Sequence, residues 1–246
     1  MILTAHRGES FLAPENTMVA LKMGWDWGAI STEIDVHMSK DGKIMVMHDG
    51  HTGRTAGEDL VIKDTESSVL RKLDVGRWKG EQFAGEKIPF LEEVLEQVPA
   101  NTKLLVEIKC GREALSAIEK IFDASGKRSQ VLSISFDLDA MTESKKMMPD
   151  LETMLIRSCP RDPETKQMIP YGDDLIQTAL DANLDGLNLE YHVMTKEYAD
   201  KVHAAGLKLW TWTSDDPEIV KAQLPFGSER FGTNRRKWMS EQTGLI

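Results

Sequence analysis

Chemistry-bearing side chains recur at the ends of short apolar runs. His6 and Arg7 follow the run 2–5, and His48 and Asp49 follow the run 44–47. Glu33 and Asp35 lie within 32–38, and Glu107 and Lys109 within 103–109. Glu33 and Asp35 are spaced i, i+2, so on a strand both side chains leave the same face. If that face is a poorly solvated interior, two such carboxylates cannot both stay ionised without a cation. Glu107 from a neighbouring strand would complete an all-oxygen donor set, suited to Mg²⁺ or Ca²⁺ rather than Zn²⁺. His6 and His48 offer a general acid and a general base near neutral pH. Arg7 and Lys109 offer positive charge that suits a phosphate-bearing substrate. Each residue also has a plainer reading. Glu33 and Asp35 could face solvent with Ile34 and Val36 in the core, an ordinary strand alternation. A histidine at a strand end is often structural, and Arg7 and Lys109 could simply pair with the same carboxylates. Spacing alone leaves both readings open.

The elements that must position these residues alternate along the chain. Strand patterns fall at 2–5, 32–38, 103–109, 130–135, 151–156, 186–190, 207–212 and 230–233. Helical spacing of apolar residues falls at 15–28, 90–98, 113–124, 137–147, 173–183, 196–205 and 217–223. Strands alternating with helices imply a parallel sheet with helical crossovers. Eight strands point to an α/β fold of the TIM (β/α)₈ barrel type, whose catalytic groups sit at the C-terminal ends of strands. The rival is a doubly wound open sheet. Its Gly-rich first turn is missing, because His6-Arg7-Gly8-Glu9-Ser10 is not GxGxxG. The polar stretch at about 49–87 fits neither strand nor barrel helix and reads as a small inserted subdomain over the site. The expected organisation is one barrel domain spanning 1–246.

Composition narrows the partners. The 246 residues hold 30 Lys+Arg against 40 Asp+Glu, a net charge of −10, which argues against a sequence-independent nucleic-acid binder. No apolar run is long enough to insert stably in a membrane. The first residues lack the pattern of a signal peptide. Cys110 and Cys159 form no CxxC pair, so neither a disulfide scaffold nor a Cys-ligated zinc site is expected. A cytoplasmic location is the reading these features favour. A homo-oligomer is left open.

The motifs run in a specific order: His6-Arg7-Gly8, Pro14-Glu15-Asn16-Thr17, Glu33-Ile34-Asp35-Val36, Lys40-Asp41-Gly42 and His48-Asp49. Ile88-Pro89, Leu91-Glu92-Glu93-Val94-Leu95, Glu107-Ile108-Lys109, Ser135-Phe136 and Trp212-Thr213 follow. In this order, nearly end to end, the chain resembles the glycerophosphodiester phosphodiesterases. The resemblance implies a TIM barrel with a small insertion. It implies a divalent cation, Mg²⁺ or Ca²⁺, on Glu33, Asp35 and Glu107, with His6 and His48 as the acid/base pair. It implies Arg7 and Lys109 on the phosphate side, Asn16 ordering the loop near the site, and Trp212 lining the substrate pocket. The implied reaction is metal-assisted cleavage of a glycerophosphodiester to sn-glycerol 3-phosphate and an alcohol. Which histidine is the base is left open, as is the choice of water or the glycerol 2-hydroxyl as nucleophile.

The chain departs from that pattern in three places. The family usually reads W-T-V-N where this chain has Trp212-Thr213-Ser214-Asp215. It usually reads T-D-R-P where this chain has Thr233-Asn234-Arg235-Arg236. The start of the insertion, at Arg54-Thr55, is thinned. These departures bear on substrate preference and on the last loop. Two other functions compete with this one. A lipid-active phospholipase D on the same barrel would call for a signal peptide, disulfides and an exposed aromatic loop, none evident here. A barrel that binds without turnover would have lost one of His6, His48, Glu33, Asp35 or Glu107, and all five stand. Of the remaining residues, His37 shares the face of Glu33 and Asp35 and is a weaker candidate, as is His51. His192 and His203 read as surface residues, Trp25 and Trp27 as helix-end packing, and Met45, Met47, Met147 and Met148 as core. Arg235-Arg236-Lys237 reads as a solvated helix start, and Cys110 as inert.

Overall fold

The computed structural model describes residues 1–246. Eight parallel strands close into a barrel: β1 Ile2–His6, β2 Ser31–Met38, β4 Lys103–Ile108, β5 Val131–Ser135, β6 Glu152–Arg157, β7 Gly186–Glu190, β8 Lys208–Trp212 and β9 Arg230–Thr233. The order is β1-β9-β8-β7-β6-β5-β4-β2, and a β1–β2 pairing closes the ring. The short strand β3, Ile44–Val46, pairs antiparallel with the end of β2 and lies outside the ring. A helix follows each strand unit in turn: α1 Met18–Asp26, α4 Leu91–Gln97, α5 Leu115–Ser125, α6 Leu138–Met147, α7 Asp173–Asp181, α8 Lys196–Ala204, α9 Pro217–Gln223 and α10 Arg236–Thr243. This is the TIM barrel, and the open-sheet alternative falls because the ring closes.

Alternation on each strand divides the core into two layers. Leu105, Leu132, Ile134, Met154, Ile156 and Trp210 fill the barrel interior. Ile34, Val36, Leu104, Val106, Leu155, Leu187 and Leu209 point the other way and pack with the helices. Leu3, Phe231, Val220 and Met239 form a separate cluster where β1 and β9 meet α9 and α10. Between β3 and α4 the chain carries only two single-turn helices, α2 Gly53–Ala56 and α3 Ser67–Leu70, and 3₁₀ turns. It has its own small core of Met45, Met47, Ile62, Leu70, Leu73, Val75 and Ile88.

The first helix starts later than the apolar spacing suggests. Residues 15–17 are turn, and α1 begins at Met18, with the Thr17 hydroxyl accepting from Ala20 N–H. The delay has a backbone cause. Asn16 sits at φ +58°, a left-handed conformation that a right-handed helix cannot contain. Just upstream, Gly8 lies at φ +83°, and a Cβ there would come within 2.5 Å of the Ala20 carbonyl carbon. Only glycine lets the loop after β1 fold back so closely onto α1.

Candidate active site

Strand register assembles the site. β1 sets His6 opposite Glu33, and β4 sets Glu107 opposite Asp35. These four residues therefore occupy adjacent positions at the C-terminal mouth of the barrel. Glu33 and Asp35 are buried on the inner face while Ile34 and Val36 join the outer core. The solvent-facing reading of the two acids is thereby excluded. Ligand oxygens of Glu33, Asp35 and Glu107 lie within 4.8 Å of one another.

Cations grip this cluster from two sides. Arg7 Nε lies 3.1 Å from Asp35 Oδ2, and Lys109 Nζ lies 3.1 Å from Asp35 Oδ1 and 2.6 Å from Glu107 Oε1. Burial works against the Asp35 carboxylate, yet Arg7 and Lys109 outweigh it and hold its pKa down to about 2. Glu107 goes the other way. Burial, reinforced by the Asp35 charge, pushes it up to about 7. Burial and the charges of Asp35 and Glu107 also raise Glu33 well above the usual carboxylate range. Two cations thus do not fully compensate three acids. Glu33 Oε1 is buried without a hydrogen-bond partner and Asp35 Oδ1 meets only the Lys109 ammonium at 3.1 Å, which leaves an all-oxygen set with free lone pairs. Those residues fit a hard divalent cation.

Asn16 is the clasp of this arrangement. Its left-handed backbone aims the amide at Asp35, donating from Nδ2 to Oδ2 at 2.7 Å and accepting from Asp35 N–H at 3.2 Å. Arg7 is also left-handed, at φ +57°, and donates its N–H to Glu33 Oε2 at 3.1 Å.

His6 and His48 both line one cavity of about 380 Å³, together with Arg7, Glu33, Glu107, Lys109 and Trp212. In each ring Nδ1 is tied to protein. His6 Nδ1 meets Asn234 Oδ1 at 2.7 Å, and His48 Nδ1 meets Asp49 Oδ1 at 2.7 Å. His6 Nε2 lies 3.9 Å from Glu33 Oε2. Burial, with the neighbouring Arg7 charge, lowers the His6 pKa to about 4. Beyond His48, Asp49 accepts from Arg54 Nε at 2.6 Å, and Arg54 forks onto Glu15 at 2.9 and 2.7 Å. Glu15 in turn accepts from Arg7 at 3.0 Å. Charge alternates from His48 back to the carboxylate cluster through the segment that follows β3.

The family model for the glycerophosphoryl diester phosphodiesterases matches residues 6–237. The chain belongs to this family. A glycerophosphodiester phosphodiesterase of Caldanaerobacter subterraneus subsp. tengcongensis is 32% identical over 231 residues, covering 92% of this chain and 90% of that protein. An Oleispira antarctica phosphodiesterase, solved in complex with the product sn-glycerol-3-phosphate, superposes with a TM-score of 0.88 at 25% identity. That match covers 99% of this chain and 97% of the other. The glycerophosphodiester phosphodiesterase of Thermotoga maritima superposes with a TM-score of 0.78 at 27% identity, covering 98% and 97%.

Within this phosphodiesterase family, the chain's two C-terminal departures turn out to touch each other. Asp215 accepts from Asn234 N–H at 2.8 Å, Asn234 Nδ2 at 3.0 Å and Thr233 Oγ1 at 2.7 Å. An acid and an amide have changed places at positions 215 and 234 relative to the family pattern. Asn234 was not among the residues picked from the sequence, although it lines the cavity and holds His6. Phe136 and Thr213, present in the motifs without a role, also line it, as do Ile134, Ile156 and Asn188, which no motif contains. Phe136 meets Trp212 edge to face at 5.8 Å, and Trp212 Nε1 donates to the Asn188 carbonyl at 3.1 Å. The available signals were an aromatic directly after β5 and an asparagine within the apolar run of β7.

Other expectations shift. His37 does not line the cavity; its Nε2 meets the His48 carbonyl oxygen at 3.1 Å, so it steadies the neighbouring backbone. His51 is exposed and pairs with Asp59 at 2.9 Å. Arg236 is buried and donates to the Trp27 carbonyl, so residues 235–237 are not simply a solvated helix start. Phe11 and Leu12 are exposed in the loop after β1, with the Arg235 guanidinium 4.2 Å above the Phe11 ring. An exposed aromatic loop is thus present, contrary to the expectation from sequence. Burial pushes the Cys110 thiol up to about 11, in keeping with an inert residue. A second metal-like grouping, Cys159, Glu190 and His192, is already satisfied internally. Glu190 accepts from Cys159 N–H at 2.9 Å and pairs with His192 at 2.8 Å.

Proposed function

We propose that this enzyme hydrolyses glycerophosphodiesters to sn-glycerol 3-phosphate and an alcohol, with a divalent cation, Mg²⁺ or Ca²⁺, bound by Glu33, Asp35 and Glu107. The observation that carries the proposal is the convergence of Glu33, Glu107, two cations and two histidines on one cavity, with the buried Asp35 carboxylate within 4.8 Å of both acids. When bound, the cation supplies charge neutralisation and polarisation of the phosphoryl oxygens. Arg7 and Lys109 sit beside the carboxylates and add positive charge where the phosphate develops negative charge. Each histidine presents Nε2, its nitrogen without a hydrogen-bond partner, to the cavity. One takes the proton of the nucleophile, water or the substrate's own 2-hydroxyl, and the other protonates the departing alcohol oxygen. Trp212 and Phe136 form the apolar wall against which the carbon part of the substrate packs. Asn16 keeps Asp35 in place.

We also place the whole of 1–246 in one barrel domain, with 49–87 as an insertion. Its separate small core and its ties to the barrel through Arg54 and Lys79 support that reading; Lys79 Nζ donates to the Ser10 carbonyl at 2.7 Å. No helix is long and apolar enough to cross a membrane. Two free cysteines are in keeping with a cytoplasmic setting.

The test is direct. Glycerophosphocholine and glycerophosphoethanolamine are incubated with the protein and Mg²⁺, Ca²⁺ or EDTA, and release of glycerol 3-phosphate is followed by a coupled assay. Cation-dependent, EDTA-sensitive product is expected; no product from either substrate with either cation defeats the proposal.

A further inference from the structure

Asn234 makes the one protein hydrogen bond to the His6 ring, at Nδ1. An asparagine amide can present either an acceptor or a donor, so by itself it does not dictate which imidazole nitrogen carries the proton. Here the ambiguity is removed by a second residue. Asp215 is an acceptor when ionised, and it lies 3.0 Å from the other end of the same amide. The end facing Asp215 must therefore be the NH₂, and the end facing His6 must be the carbonyl oxygen. Ser10 Oγ gives its one hydrogen to the His6 carbonyl at 2.7 Å; it lies 3.2 Å from the same Asn234 atom, and the orientation of the amide rests on Asp215. Asp215 also takes the Asn234 backbone N–H at 2.8 Å and the Thr233 hydroxyl at 2.7 Å, which fixes the loop itself.

A carbonyl oxygen only accepts, so His6 Nδ1 must carry a hydrogen. We infer that Asn234, locked by Asp215, is a positioning residue that sets His6 in the Nδ1–H tautomer and makes Nε2 the nitrogen that exchanges a proton with the substrate. The proton balance is simple. Nε2 gains or releases one proton, while the Nδ1–H stays bonded to the amide, which is too weak a base to take it. The exchanged pair works equally well in principle either way round. An aspartate at 234 would also accept from Nδ1–H, provided residue 215 supplied the donor. What the site does not tolerate is two acids or two amides. Two carboxylates would face each other at 3.0 Å, and two amides would leave the Asn234 flip undetermined.

The inference rests on the hydrolase reading for its catalytic meaning but is measured apart from it. The 246-residue protein with Mg²⁺, labelled with ¹⁵N-histidine, is examined by NMR at neutral pH, and the His6 ring is assigned from its loss in His6→Gln. An Nδ1–H tautomer is expected; an Nε2–H tautomer overturns the inference, whatever the protein turns over. Asp215→Asn and Asn234→Asp are then compared with the double exchange. Each single variant should lose at least about tenfold in kcat with KM little changed, less than the roughly 10²–10⁴ that the acid–base group itself contributes. The double exchange should recover most of that loss. A double variant no more active than the poorer single variant overturns the inference, because a merely structural role predicts additive damage. Should the single variants fail to fold, the tautomer of the unmutated protein still decides. Failure of the unmutated protein to cleave either glycerophosphodiester would defeat the substrate reading and leave the tautomer result standing.

Discussion

The two sides of the cavity hold their histidines by different means. On the side of β1 and β9, His6 is half-buried and backed by a neutral amide, itself held by an aspartate. On the side of β3, His48 is backed directly by the Asp49 carboxylate, itself paired with Arg54. Both arrangements orient a ring. Only the second places negative charge directly against it. The amide gives direction without charge, and that suits a ring already crowded by Glu33, Asp35 and Arg7.

The largest effect should come from removing either ring. His6→Ala and His48→Ala should each cost roughly 10²–10⁴ in kcat, the range of a positioned acid or base, while the thermal melt stays close to that of the parent protein. Steady-state kinetics on glycerophosphocholine measures it. If one variant keeps near-parental turnover, that histidine leaves the mechanism and the comparison collapses to one side.

The carboxylates between the histidines come next. Glu107 is pushed up to about 7 and Glu33 is raised as well, both by burial first and by neighbouring acids second. A carboxyl whose folded pKa lies above its unfolded value contributes stability below the unfolded value, near 4.5, and loses it as pH rises through the folded one. The cation-free protein should therefore weaken between about pH 4.5 and 7. Mg²⁺ or Ca²⁺ should raise Tm clearly at pH 8 and little at pH 5, because binding requires the ionised carboxylates. Glu33→Gln should abolish most of that pH 8 gain. An equal Tm gain at both pH values would remove Glu33 and Glu107 from cation binding.

Much of this centre was legible before any coordinates. Glu33, Asp35, Glu107 and Lys109 interrupt apolar strands, and a polar residue inside such a run must be satisfied by something specific. The eight strand units were legible for the same reason, since barrel strands are apolar on both faces. The support beneath His6 was not. Asp215 and Asn234 lie in separate loops, and neither interrupts an apolar pattern. Their meaning arises only when β8 and β9 pair and bring the two loop starts together. The start of α1 was misjudged because apolar spacing extends back through residue 15, whereas the left-handed turn at Asn16 is a demand of the site and not of the helix. His37 shares the face of Glu33 and Asp35 but not their depth, because β2 runs on past the barrel rim to pair with β3.

Asp49→Asn would make the His48 side resemble the His6 side, an amide behind each ring. The ring keeps a partner but loses the charge, so a drop of about tenfold in kcat is expected, smaller than loss of the ring itself. A loss as large as that of His48→Ala would mean that Asp49 acts as more than an electrostatic backing. No loss at all would mean that direction suffices on both sides.

The smallest effect belongs to Arg54, one step further out. It links Asp49 to Glu15 and so couples the His48 side to Arg7, but its side chain is 43% exposed. Exposed ion pairs are worth about 0–1 kcal/mol and are screened by salt. Arg54→Ala should therefore lower kcat by no more than about fivefold, since 1 kcal/mol is close to a fivefold change. The deficit should also shrink as salt is raised, because the parent protein then loses the same interaction. A deficit that is large and indifferent to salt would show that Arg54 works through geometry. The contrast between a charged support on one side and a neutral amide on the other would then give way to two rigid clamps.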